Sequence, residues 1–397
     1  MYRTLKTRFR AKKEVIDKLF ECNRISAEVW NECLRLAKEH HLKTGKWITK
    51  TELQKATKGR FPIHSQSIQA VVHKYIFARD GAREARKKGE KTKFPYKKKK
   101  HFNTKWAKDG FVLHEDGTLE LSLGIWKRKR QSPLVVKMDK EQIPKGQVKE
   151  IELVYDRGLW LCLLYEDGKE PKENKNQNRV AIDPGEIHTI AAVCENGENL
   201  IITGRKIRSI HRLRNKKLKE LQKLMSRCKK GSKQWKKYNR AKQYVLSKSE
   251  AQLKDALHKT TRQFVRWCLE NQVKEVVIGD VEGVQRNTKK KRNKKTNQKL
   301  SNWSFGKLFD YLKYKLNAEG IEMEKKDESY TSQTCPVCGK KNKSSSRNYT
   351  CQCGYKQHRD IHGAMNLFAK VILWRNSPVG IYGQTVYVST DCISKKS

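Results

Sequence analysis

Four cysteines and two aspartates stand out as residues able to do chemistry. The segment TCPVCGKKNKSSSRNYTCQCGY carries two close pairs, Cys335 with Cys338 and Cys351 with Cys353. Zinc is held well by four thiolates in a tetrahedron, and a cysteine pair separated by one or two residues chelates from a single turn. Gly339 and Gly354 follow the second cysteine of each pair, where a tight turn calls for a residue tolerant of positive φ. The second pair departs from the commoner spacing, with only Gln352 between its cysteines. Four converging thiols favour zinc over a redox dithiol, and a site with no open position is structural. The aspartates are Asp183, which ends VAID, and Asp280, which ends VVIGD. A carboxylate at the end of a buried strand is costly unless it is paired or bound to metal. Two such acids on parallel, core-facing strands suit a pair of divalent ions, which activate water and stabilise the leaving oxygen of a phosphodiester. The plain alternative for each is a helix cap or a turn residue.

The elements that must position these residues follow from hydrophobic periodicity. Tyr2 to Phe9 reads as a short strand. Ile16, Leu19, Phe20, Trp30, Cys33, Leu34 and Ala37 recur at helical spacing, with Gly45 as the stop. Ser65 or Ser67 is a candidate cap for a second helix bearing Ile68, Val71, Val72, Tyr75 and Ala78. Residues 81–100 are polar and rich in lysine. After Trp106, FVLHEDGTLELSL and IELVYDRGLWLCLLY each read as a hairpin, turning at Asp116-Gly117 and at Asp156-Arg157-Gly158. Together they suggest a small antiparallel sheet or barrel, followed by a polar linker to Asn178. A further domain opens at Val180, with strands at VAID, Thr189–Val193 and Leu200–Thr203. A long basic helix follows, broken at Gly231, and then a second helix carrying Leu253, Leu257, Thr260, Phe264 and Trp267. EVVIGD is another buried strand, the charged run Lys289 to Lys295 a loop, and Phe305 to Leu316 a helix. Ile321–Lys325 is a strand leading to the cysteines.

The 397-residue chain carries 89 Lys and Arg against 42 Asp and Glu, a net charge of +47. Such an excess opposes compaction by self-repulsion, so its use is to neutralise a polyanion, with release of condensed counterions. Charge alone fits a ribosome-associated or RNA-coating protein equally well. No stretch approaches the roughly 20 apolar residues of a membrane span. The N-terminus MYRTLKTRFRAKKEV has no apolar core of a signal peptide. Eleven cysteines, most of them scattered singly, suit a reducing cytosol.

With these residues in view, the chain resembles the TnpB family of insertion-sequence proteins, RNA-guided DNA nucleases related to miniature type V CRISPR effectors. The resemblance covers most of the chain. It rests on AIDPG, the VVIGD strand, YTSQTCPVCG, TCQCGY and HRDIHGAMNL, in the family's order. It implies a multidomain α/β protein. An RNase H-like (RuvC) nuclease domain holds an inserted zinc ribbon, and a small β-barrel wedge domain is split around an N-terminal helical recognition module. The expected boundaries are 1–10 for the first wedge strand, 11–105 for the helical module, 106–168 for the wedge barrel and 169–178 for the linker. The RuvC-like domain then runs over 179–330 and 357–374, with the zinc ribbon at 331–356 and a C-terminal tail at 375–397.

The resemblance makes Asp183 the first catalytic carboxylate and Asp360 the last. His362 stands where the family usually has Asn, which keeps the ligand Asp360 but changes its surroundings. The family's middle carboxylate is usually a Glu followed by Asp, and here that position is Gly279. Neighbouring strand residues face opposite sides, so Asp280 does not simply take its place. Some members lack that Glu and supply another just before TSQTC, where this chain has Glu328. The implied magnesium ligands are therefore Asp183, Glu328 and Asp360, with Asp280 as the alternative middle carboxylate. The implied cofactors are catalytic magnesium and a structural zinc on Cys335, Cys338, Cys351 and Cys353. The implied partners are a guide RNA from the transposon end and a double-stranded DNA target with a short adjacent motif. A monomer would bind one RNA in a prokaryotic cytoplasm, on the nucleoid when engaged with DNA and with no membrane involved.

The leading expectation is thus an RNA-guided DNA endonuclease. Loss of the middle ligand would instead leave a nuclease-inactive, RNA-guided DNA-binding repressor. A third reading is a non-guided zinc-ribbon RNA-binding protein, whose DNA binding would not depend on a guide. Direct transposition is not expected, because no tyrosine or serine recombinase constellation is present.

Overall fold

In the computed structural model, which describes residues 1–281, 293–343, 346–372 and 385–388, the chain divides into two units, Met1–Lys169 and Glu170–Ser397. No helix among the described residues is long and apolar enough to cross a membrane.

The first unit begins with strand β1 (Tyr2–Thr7) and helix α1 (Lys13–Thr44), which buries Leu19, Cys22, Val29, Trp30, Cys33 and Ala37 along one stripe. Gly45 ends α1 in the left-handed region at φ 68°, as the sequence spacing predicts. Helix α2 (Lys50–Thr57) is an addition to the sequence expectation. Its Thr49–Glu52 capping box is the T-x-x-E signature of a helix start, hidden in a polar stretch. Helix α3 (Ser65–Lys87) is capped by neither Ser65 nor Ser67. His64 is the N-cap, its Nδ1 accepting the Gln66 backbone N–H at 3.3 Å.

The remaining strands of this unit are β2 (Thr104–Ala107), β3 (Phe111–Leu113), β4 (Thr118–Leu121), β5 (Ile125–Trp126), β6 (Lys129–Arg130), β7 (Leu134–Lys137), β8 (Gln147–Tyr155) and β9 (Leu159–Glu166). They form antiparallel sheets ordered β1-β9-β8-β2 and β3-β4-β7, with β5-β6 a short ribbon. Both expected hairpins are present, β3–β4 and β8–β9. At the first turn a side chain on Gly117 would meet the Met138 carbonyl at 2.5 Å. Leu19, Trp30 and Tyr75 from the helices share one core with Trp106, Leu119, Ile151 and Leu161 from the strands.

The second unit is built on a mixed sheet of β10 (Asn178–Asp183), β11 (His188–Cys194), β12 (Asn199–Thr203), β13 (Val273–Gly279), β14 (Glu322–Lys326) and β17 (Thr385–Val388), ordered β14-β13-β10-β11-β12-β17. The first three strands form an antiparallel meander, while β13 and β14 run parallel to β10. Between β12 and β13 lie the basic helices α4 (Arg205–Ser226) and α5 (Lys233–Glu270), separated where Gly231 takes φ 89°. Helices α6 (Lys294–Asn302) and α7 (Phe305–Ala318) precede β14. The cysteine segment contains the hairpin β15 (Asn348–Thr350) and β16 (Lys356–His358), and helix α8 (Arg359–Ile372) follows it.

Strand alternation decides which helix covers which side. Val180, Ile182, Ile190, Ala192, Val276 and Ile278 pack against α5 and α7 through Leu257, Phe264, Leu308 and Leu312. The intervening residues Ala181, Ala191, Val193 and Val277 pack on α8 through Ile361, Ala364, Leu367 and Phe368.

Two expectations need correction. The charged run from Lys289 lies partly outside the described residues, and from Lys294 the chain is already helical in α6. The expected tail is not wholly a tail. Most of it lies outside the described residues, but Thr385–Val388 pairs with β12 in parallel, its β-branched TVYV pattern fitting a sheet edge.

Candidate active site and metal centre

The alternation that builds the sheet also sorts the acids. Asp183 follows Ala181 at the two-residue period, so it faces α8, and Gly279 follows Val277 onto the same face. Asp280 leaves the strand on the other parity, with its backbone N–H donating to the Lys326 carbonyl at 2.8 Å. Glu328 lies two residues beyond β14. Its carboxylate occupies the space a side chain at position 279 would need, because a Cβ built on Gly279 falls 2.3 Å from Glu328 Oε2. The missing side chain of β13 is thus replaced in space by one arriving from the next segment. Asp360 completes the face from the first turn of α8. On the same helix Gly363 leaves room for Asp183, whose Oδ2 lies 2.3 Å from where a Cβ would stand.

The electrostatics agree with this proximity. Burial drives the Asp183 carboxyl well above its ordinary value, with the charges of Glu328 and Asp360 adding to the shift and Arg359 opposing it. Burial also raises Glu328 to about 7, reinforced by Asp280 and Asp327. Asp280 therefore acts on Glu328 but is not among the charges acting on Asp183. Asp360 goes the other way. Burial pushes it up, but the His188 hydrogen bond, together with the charges of His188, His358 and Arg347, holds it below its ordinary value. His188 Nδ1 and Asp360 Oδ2 are 2.7 Å apart, and Arg347 Nη1 is 3.9 Å from the same oxygen.

Asp183 and Glu328 are raised first by burial and then by neighbouring acids, so these two are short of compensating charge, and carboxylate oxygens suit a hard divalent cation such as magnesium. Asp183, Glu328 and Asp360 are the candidates for that role. Ligand atoms of His188, His358 and Asp360 also lie within 4.8 Å of one another, so nitrogen donors border the acids. Sequence reasoning misses His188. It opens β11 in a turn after DPG that looks like an ordinary loop, and only the fold brings it to Asp360. His358 lies within the HRD motif, where the sequence assigns it no role.

The four cysteines converge as their spacing predicts. Cys335 Sγ is 3.6 Å from Cys353 Sγ, and Cys338 Sγ is 3.5 Å from Cys351 Sγ. A zinc tetrahedron with bonds near 2.3 Å places its sulfurs about 3.8 Å apart, so the cluster matches that ion. Burial pushes Cys335 up to about 12, while a backbone hydrogen bond at Cys353 draws Cys351 down to about 7. A cation would let all four ionise together.

His362 does not join the acids. It is fully buried on another side of α8, stacked on Tyr349 with ring centroids 3.8 Å apart. Its Nδ1 is 3.4 Å from the Tyr355 hydroxyl, and its Nε2 is 3.2 Å from Asn366 Nδ2. Asn366 donates in turn to the carbonyls of Thr331 and Thr334 at 2.6 and 2.7 Å. Helix α8 therefore presents Asp360 to the sheet and His362 with Asn366 to the cysteine segment.

Comparison with known proteins follows the same segments. Residues 162–285 match a family model described as a probable transposase, and residues 305–367 match the Cas12f1-like TNB domain. A TnpB-like protein of Methanocaldococcus jannaschii is 28% identical over 197 residues, covering 48% of this chain and 68% of that protein. A protein of Paramecium bursaria Chlorella virus 1, named for a transposase, is 37% identical over 71 residues, 17% of this chain and 16% of that one. A chain from the cryo-EM structure of a Cas12f1–sgRNA–target DNA complex is similar with a TM-score of 0.65 at 16% identity, covering 89% of this chain and 82% of that one. At that identity the likeness is one of fold.

Proposed function

The chain belongs to the TnpB family, and from that premise we propose that it is an RNA-guided DNA endonuclease whose carboxylates Asp183, Glu328 and Asp360 form a RuvC-like, magnesium-dependent site. The observation that carries the proposal is the carboxylate of Glu328 standing in the side-chain space of Gly279, opposite Asp183. The antiparallel meander extended by parallel strands, with acids gathered over one face, supports an RNase H-like reading of the second unit. The net charge of +47 supports long contacts with nucleic-acid backbones, and the fold likeness to a guide-bound relative supports an RNA partner.

Magnesium, when bound, would lower the pKa of water and offset charge on the phosphate. The chain's own residues do the positioning. Strand β10 fixes Asp183, the segment after β14 brings Glu328 across, and α8 fixes Asp360 at its start. His188 holds Asp360 in one orientation and keeps it ionised. The cysteine hairpin, with zinc on Cys335, Cys338, Cys351 and Cys353, would brace α8 from outside and help load a strand. Pairing with the guide would read sequence, and the protein would read a short adjacent duplex motif.

The test is to purify the protein from cells carrying its native locus and sequence the RNA that accompanies it. That RNA is then reprogrammed to a chosen duplex. Magnesium-dependent cutting that follows the guide supports the proposal. Guide-dependent binding without cutting, across pH and salt, would identify a repressor, and binding indifferent to the guide would identify a general RNA-binding protein.

A further inference from the structure

A polar cavity of about 150 Å³ in the second unit is lined by His211 and Arg214 of α4, Glu250 and Lys254 of α5, and Ser304 and Lys307 at the start of α7. None of these residues belongs to the carboxylate site. His211 is 8% exposed, yet neither of its ring nitrogens has a hydrogen-bond partner among the described residues. Arg214 Nε is also unpartnered there, although its Nη2 donates to Asn302 Oδ1 at 2.8 Å. Buried polar groups are almost always satisfied, so an unpaired imidazole beside an unpaired guanidinium nitrogen calls for a partner from outside the chain, water or a ligand. Burial and the neighbouring Arg214 charge, partly opposed by Glu250, lower the His211 pKa to about 4, so the ring is neutral and offers one N–H donor.

The rest of the lining sets the ligand's charge. Lys307 pairs with Glu250, which leaves Arg214 and Lys254 without a balancing carboxylate in the lining. Helix α7 runs for 14 residues from the N-cap Ser304, whose side chain makes no capping bond. An uncapped helix start presents backbone N–H groups and the positive end of the helix dipole. Apart from the acceptor nitrogen of the neutral His211 ring, the unpaired groups here donate or are positive. The volume accepts a single oxyanion but lies well below the roughly 300 Å³ at which small-molecule pockets begin.

We infer that this cavity is a phosphate-binding site, made by the start of α7 with Arg214, Lys254 and His211. Two sources supply that chemistry, a backbone phosphate of bound nucleic acid or free inorganic phosphate. The inference does not depend on nuclease activity.

Inorganic phosphate is titrated into the full-length, RNA-free protein, and binding is followed by phosphorus NMR and calorimetry. Saturable binding is expected, weakened about tenfold or more in Arg214→Gln and in His211→Leu, since each removes a hydrogen bond to a charged group. His211→Leu should keep or raise Tm, because it removes buried unpaired nitrogens, so a folding defect will not mimic loss of the site. Asp183→Asn should bind phosphate as wild type does, which separates this test from the nuclease reading. In a second arm, guide-RNA affinity is measured against salt. A log–log slope reduced by about 0.7 in Arg214→Gln, one single-strand phosphate contact, assigns the site to the RNA backbone. An unchanged slope alongside lost phosphate binding assigns it to free phosphate. Absence of saturable binding to the wild type, or binding undisturbed in both variants, would overturn the inference.

Discussion

Gly279→Ala tests the carboxylate arrangement with a single methyl group. The added Cβ would lie 2.3 Å from Glu328 Oε2 and 3.3 Å from both Glu328 Cβ and Cδ. Ordinary contact begins near 3.4 Å, so the carboxylate must retreat by about 1 Å. The backbone gives no offsetting strain, since Gly279 is not among the positive-φ residues and alanine is tolerated in a strand. Folding and zinc content should therefore hold. A catalytic group displaced by about 1 Å costs on the order of 10²-fold in rate. The assay is single-turnover cleavage of a guide-matched duplex at saturating magnesium, with target binding measured in parallel. The expected result is a rate about 10²-fold lower with binding unchanged. A second variant moves the acid back to β13. Gly279→Glu combined with Glu328→Ala should recover most of the activity lost in Glu328→Ala alone. Wild-type cleavage by Gly279→Ala, or no gain from the combined change, would refute the spatial replacement.

Three further outcomes follow from the same geometry. Cys335→Ser should lose zinc and also slow cleavage by about tenfold or more, because His362 and Asn366 tie the cysteine segment to the helix carrying Asp360; zinc loss by elemental analysis with normal cleavage would contradict that coupling. Asp183→Asn should abolish cleavage yet raise Tm in magnesium-free buffer by removing a charge that is buried and also crowded by Glu328 and Asp360, and calorimetry showing a lower Tm would argue against that cost. Glu328 is raised from 4.5 to about 7 in the folded chain, so without magnesium its contribution to stability is full below pH 4.5 and fades as pH rises through 7, by up to about 3 kcal/mol. Urea unfolding from pH 4.5 to 8 should show that slope in wild type relative to Glu328→Gln, and parallel curves would rule it out.

Much of this site is legible in the sequence. The cysteine spacing names a tetrahedral cluster because chelation is local, decided by two turns. Asp183 is visible because a charge ending an apolar strand is anomalous. The period of two also shows that Asp280 faces away from the side-chain space of Gly279 while the strand stays extended. Bringing Glu328 into that set needs a family resemblance, since nothing local marks it. His188 is not legible at all, because its role depends on where β11 starts relative to α8. The caps at Thr49 and His64 show a related limit. The first has a signature that the polar context masks, and the second uses an uncommon capping residue. The strand Thr385–Val388 escapes notice because four residues carry too little periodicity without the partner edge of β12.

The most direct test of the central claim compares Glu328→Ala with Asp280→Ala in guide-loaded complexes on one matched duplex. Glu328→Ala should bind target but cleave at least about 10²-fold more slowly, while Asp280→Ala should cleave within a few-fold of wild type. Cleavage retained by Glu328→Ala, or lost by Asp280→Ala alone, would contradict that claim.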